Sequence, residues 1–155
     1  MPVTLPKAEF PLKVEEIRMF LRDQPHYNIL LEDIEFKNED IQLAMRLTVA
    51  RYNALTPQTS VVGPEYLNEW VLLCGVCCIL FRSEGARQLR NQMITQDGNI
   101  APVGIDEKQD LYLAWSNQFC AEFDEKAQKI KIQDNMESCY GGFGSGYRYI
   151  GRWTN

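Results

Sequence analysis

The residues of this chain best suited to chemistry are its five cysteines and its single histidine. Cys74-x-x-Cys77 has the spacing of a metal-ligand pair or a redox dithiol, but no second pair accompanies it. Cys74, Cys77 and Cys78 lie in a run without charge from Val71 to Phe81, and apolar surroundings raise a thiol's pKa and make it inert. They are therefore read as small core hydrophobes in a reducing compartment, as the odd cysteine count also suggests. A Cys–His nucleophile pair would need His26, which follows Pro25 on a connector, away from the faces that carry most cysteines. Cys139 falls outside the expected helices and is the residue on which a thiol enzyme would rest.

The other chemical candidates are weaker. Glu32, Asp33, Glu35, Glu39 and Asp40 are acidic but lack the alternating pattern and central glycine of a calcium loop. Gly142-Phe143-Gly144-Ser145-Gly146 has no lysine after its last glycine, no strand before it and no helix after it, so it does not read as a phosphate loop. No catalytic, cofactor or metal residues are assigned, and the chain is expected not to be an enzyme. Tyr140, Phe143, Tyr147, Arg148, Tyr149 and Trp153 form a glycine-interleaved tail whose glycines permit close backbone approach and whose aromatics can fill a partner's pockets. The same aromatics beside Arg148 and Arg152 give the alternative function, a module that stacks single-stranded nucleic acid.

The elements that must position these groups are mostly helical. A chain of 155 residues with 45% hydrophobic content suits one domain with a real core, and a net charge of −5 argues against broad nucleic-acid or anionic-membrane binding. The N-terminus shows no basic head before an apolar stretch, so no secretory signal is expected. The expected fold is mainly α, a bundle of about four helices over 13–134. It lies between an extended proline-rich arm over 1–12 and a Gly/aromatic arm over 135–155.

Helix one is expected from Lys13 to Gln24, where Pro25 stops it. Helix two opens at Asn38 as N-cap and presents Ile41, Ala44, Met45, Thr48, Val49 and Tyr52 on one face. Leu43, Leu47 and Ala50 widen that stripe and predict cover on more than one side. A long central helix is expected over Pro64–Met93, too short in its apolar run for a membrane span, with its polar end from Arg82 to Asn91 projecting beyond the bundle. Asp97-Gly98-Asn99 marks a short β-hairpin near 94–101 or a tight loop. Asp106 with Gln109 opens a last helix that runs to about Lys131, its face marked by Tyr112, Trp115, Ser116, Phe119, Cys120 and Phe123. Lys126, Lys129 and Lys131 suit its negative end.

The order Glu16-Ile17-Arg18-Met19-Phe20-Leu21-Arg22-Asp23, then Asn28, Leu30, Leu31 and Glu35-Phe36, then Asp40-Ile41 through Tyr52-Asn53-Ala54, is followed at the end by Asn135-Met136-Glu137 and Gly141-Gly142-Phe143-Gly144-Ser145-Gly146-Tyr147. This order resembles the small head-to-tail connector (adaptor, or neck) proteins of tailed bacteriophages. The resemblance implies a small helical bundle, many copies of which, commonly about twelve, form a ring beneath the portal. It implies a structural virion protein, assembled in the host cytoplasm, that joins head to tail and extends the DNA channel. Its partners would be the portal protein, neighbouring copies of itself, the next neck or tail protein, and DNA passing through without sequence-specific binding; no membrane is involved. On the same resemblance, the tail residues above would clasp a portal or neighbouring subunit, and Arg18, Arg22 and Asp23 would make lateral contacts.

Overall fold

The computed structural model describes residues 9–28, 32–91 and 108–140. Four α-helices follow in chain order: α1 (Val14–Leu21), α2 (Asn38–Ala54), α3 (Glu69–Asn91) and α4 (Lys108–Tyr140). There is no strand among the described residues; the segment near 94–101 lies outside them, as do Asp106 and the greater part of both arms. The described end of the N-terminal arm packs down, with Phe10 and Leu12 against the core.

The helices start where local chemistry satisfies their free amides. Lys37, not Asn38, is the N-cap of α2, and its amide donates to Asp40 Oδ2 at 3.3 Å. Asn38 is thereby free to accept from Arg18 Nη2 at 2.8 Å. Pro64 opens a 3-10 turn, Pro64–Tyr66, rather than the long helix itself. The true cap of α3 is Asn68, whose Oδ1 accepts from the amides of Trp70 (3.0 Å) and Val71 (3.3 Å).

The centre of α3 is the core of the molecule. Val71, Leu72, Cys74, Val76, Cys77, Cys78 and Leu80 are all buried, and α3 packs between α2 and α4. The approach is closest at Gly75. A Cβ there would stand 2.2 Å from Thr48 Cγ2 of α2 and 3.0 Å from the Phe123 ring of α4. Glycine is required because two helices press on the same turn. The second half of α3 does not project free as its polarity suggested. Glu84 and Gly85 are buried, and a Cβ on Gly85 would meet Leu113 at 3.4 Å.

α4 is 33 residues long, about 50 Å at the usual rise. It continues past Lys131 to Tyr140, taking in residues 135–140, which composition had assigned to the arm, together with Cys139. Lys126, Lys129 and Lys131 therefore sit in mid-helix and do not serve its C-terminal end. Lys131 is buried instead. Its Nζ donates to Leu55 O, the carbonyl just past α2, at 2.6 Å and lies 5.0 Å from the centre of the Tyr52 ring. Desolvation lowers its pKa, and the aromatic face and the carbonyl are what keep the ammonium acceptable there.

Cysteine pairing also departs from expectation. Cys78 of α3 and Cys120 of α4 are joined as a disulfide, with Cα atoms 5.0 Å apart. Cys74 and Cys77 remain buried free thiols, and burial pushes them up to about 11 and about 12, as apolar surroundings demand. Alone, the run around Cys74 could not reveal the pairing, because the partner lies 42 residues away on another helix.

Candidate functional site

The described surface carries an open aromatic cleft of about 530 Å³ where α1, α3 and α4 meet. Phe20 of α1 stands edge-on to Trp70 of α3 and to Phe119 of α4, each at 6.3 Å between ring centres. Phe119 stacks on Trp115 at 6.1 Å and on Phe81 at 5.8 Å. Leu111 and Leu21 complete the apolar walls. These contacts follow from helical spacing: Leu111, Trp115 and Phe119 are successive i, i+4 positions on α4. Trp115 is 52% exposed and Leu111 63%, large for residues of this type outside a core.

The inner end of the cleft is polar. Tyr112 Oη donates to Glu35 Oε1 at 2.7 Å. Burial pushes the Glu35 carboxyl up, the Tyr112 hydrogen bond opposes this, and the charges of Glu84 and Asp23 reinforce it. Tyr112 is pushed up in turn, first by burial and then by donating to Glu35. Glu84 is buried but well supplied, with Arg87 donating from Nε (3.0 Å) and Nη2 (2.7 Å) and Gln88 Nε2 at 2.7 Å. The cleft can therefore hold a flat apolar group with a hydrogen-bonding tip. No group of three metal-ligating side chains occurs among the described residues.

A second apolar surface lies on α2. The inner stripe Ile41, Ala44, Met45, Thr48 and Tyr52 is buried as its period predicts, with Val49 half-buried. Leu43 and Leu47 are not covered on a further side. They are 47% and 46% exposed, with Ala50 exposed one turn on, which corrects the expectation of a helix packed on several faces.

Arg18 and Asp23 turn inward. Asp23 is 3% exposed and accepts from Arg18 Nη1 (2.7 Å), Asn28 Nδ2 (2.8 Å) and the amides of Glu35 (2.6 Å) and Phe36 (3.0 Å). Arg18 Nη2 adds the Phe36 carbonyl at 2.7 Å. Together they tie the connector before α2 to the end of α1, and through Glu35 they set one wall of the cleft. Arg22 is exposed, its guanidinium 5.5 Å over the Tyr27 ring. Its left-handed φ of 56° closes α1 at Leu21, ahead of the expected end at Gln24. Tyr140 is the last residue of α4, and Phe143, Tyr147, Arg148, Tyr149 and Trp153 lie outside the described residues.

Sequence reasoning gave neither Phe20 nor Leu111 a role on the surface. Trp115 had been placed on the inner face of α4, and the signal that could have corrected this was the Ser116–Cys120–Phe123–Ala127 ridge of smaller residues beside it. No protein-family model, curated protein or solved structure matches this chain.

No helix among the described residues is long and apolar enough to cross a membrane.

Proposed function

We propose that this chain is a structural subunit of the neck of a tailed bacteriophage, forming a ring that joins the portal to the tail and extends the DNA channel. The observation that carries this reading is the pair of unlike apolar surfaces, the aromatic cleft of α1, α3 and α4 and the leucine strip of α2. A two-fold dimer needs one self-complementary patch. A ring built head to tail needs two different patches that fit one another, repeated around the circle. Supporting it are the helical body and the residue order that resembles connector proteins. The tail over 141–155 continues from the end of α4 with the composition of a clasp for the portal or a neighbouring copy.

Native mass spectrometry of the protein mixed with its portal tests the reading. A stoichiometric ring on the portal is expected. A chain that stays monomeric beside the portal and every other neck component contradicts it.

A further inference from the structure

Three helices converge on the Cys78–Cys120 disulfide. Arg51 of α2 reaches it from a fixed position, because its Nη2 is held by both carboxylate oxygens of Asp124 at 2.8 Å. Its other nitrogen, Nη1, stands 3.0 Å from Cys78 Sγ and 3.7 Å from Cys120 Sγ. Arg82 of α3 places Nη2 3.7 Å from Cys120 Sγ. Ser116 Oγ, 3.8 Å from Cys120 Sγ, donates to the Cys78 carbonyl and fixes the register of the two helices.

A neutral disulfide sulfur is a weak acceptor and gains little from two guanidiniums. A thiolate gains much more, since arginine keeps its charge at every relevant pH and cations beside a sulfur favour the anion. The surroundings thus favour the state reached when the bond opens.

We propose that Cys78–Cys120 is a reversible thiol–disulfide exchange site, opened by a small dithiol that attacks Cys120 Sγ and expels Cys78 as a thiolate against Arg51. Cys120 is the less deeply buried residue of the pair, 7% exposed against 1% for Cys78, and the sulfur with the closer guanidinium is the better leaving group. In the first step one reductant thiolate bonds to Cys120 Sγ and the Sγ–Sγ bond breaks, its electron pair leaving on Cys78. In the second, the reductant's other thiolate attacks its own bonded sulfur and releases Cys120. The dithiol is oxidised to its disulfide, the protein gains two electrons, and the two protons shed by the reductant balance the two cysteines. Cys74 and Cys77, whose pKa values burial raises, stay out of the exchange, so it is confined to one pair.

The test is the rate at which the oxidised, folded, full-length protein is reduced by dithiothreitol at neutral pH, followed by alkylation and mass measurement. Wild type should open without denaturant and expose two further alkylation sites besides Cys139. Arg51→Gln should slow reduction by about tenfold, because the leaving thiolate loses its cation. Asp124→Asn, which removes the carboxylate that fixes Arg51 but keeps its charge, should slow reduction by less than Arg51→Gln does. Arg82→Gln, a milder surface change, takes the cation from Cys120, which draws in the attacking thiolate and leaves in the second step, so it should slow the reaction several-fold and serves if Arg51→Gln does not fold. The proposal is overturned if Arg51→Gln, or Arg82→Gln in its place, reacts as fast as wild type or faster, as opening by unfolding would require. It is equally overturned if wild type is reduced only in denaturant, or if air and oxidised glutathione never form the bond.

Discussion

α2 and α4 flank the same central helix, yet they divide their apolar residues differently. On α2 the larger buried groups face inward in a clean stripe, Ile41, Met45 and Tyr52, and two leucines are left outside. On α4 the inner ridge runs Ser116, Cys120, Phe123, Ala127 and Lys131, small or polar at every position but one, while Leu111 and Trp115 stand outside. The difference comes from the space available. α3 meets α4 along a longer seam than α2, and Gly75 brings the Phe123 ring close to the α3 backbone. Small residues permit that approach, and the large ones are displaced to the rim, where they form the cleft. Inside, the apolar residues hold the fold; outside, they are available to a partner.

Breaking the inside should cost most. Phe123→Ala removes a fully buried ring from the three-helix crossing and should destabilise the fold by about 3–5 kcal/mol, measured by urea unfolding. Asp23→Ala takes the carboxylate from Arg18 Nη1 and leaves the amides of Glu35 and Phe36 without their acceptor, and should cost about 3 kcal/mol in the same assay. Gly75→Ala inserts a methyl where 2.2 Å is available and should cost about 1–3 kcal/mol by overpacking.

How far these positions were legible in the sequence differs by element. The inner stripe of α2 was readable because its residues are apolar at helical spacing and its neighbour α3 is apolar nearly all round. The α4 ridge was legible in part: Ser116, Cys120 and Phe123 lie on the expected face and are buried, whereas Trp115, expected beside them, stands outside, and Ala127 and Lys131 continue the ridge without a hydrophobic signal strong enough to place them. Lys131 and Glu84 were read as surface charges. Their burial depends on partners 76 residues away (Leu55) and three residues away (Arg87), and hydropathy cannot register either. Arg18 and Asp23 were given an outward task on the resemblance, and their inward partners Glu35 and Phe36 were not foreseen because they come from a connector without periodicity. The two exposed apolar surfaces left no signal of their own; they are what remains once packing has taken its share.

Changes outside should leave stability nearly untouched. Leu47→Glu and Trp115→Glu should each shift unfolding by no more than about 0.5 kcal/mol, as surface changes do, while blocking ring formation. The smallest effect is expected at the floor of the cleft. The folded-state pKa of Glu35 is raised, so its contribution to stability is full below the ordinary carboxylate range and falls as pH rises through the folded value. Glu35→Gln keeps an acceptor for Tyr112 and should flatten that pH dependence, leaving the variant equal to or slightly more stable than wild type at neutral pH. A pH series of thermal melts reads the difference.

The most direct measurement mixes the two outer-surface variants. Leu47→Glu and Trp115→Glu, each unable to close a ring on the portal, should together form a heterodimer by native mass spectrometry, because one supplies an intact cleft and the other an intact leucine strip. Rings from either variant alone, or no association in the mixture while wild type assembles, would contradict the account.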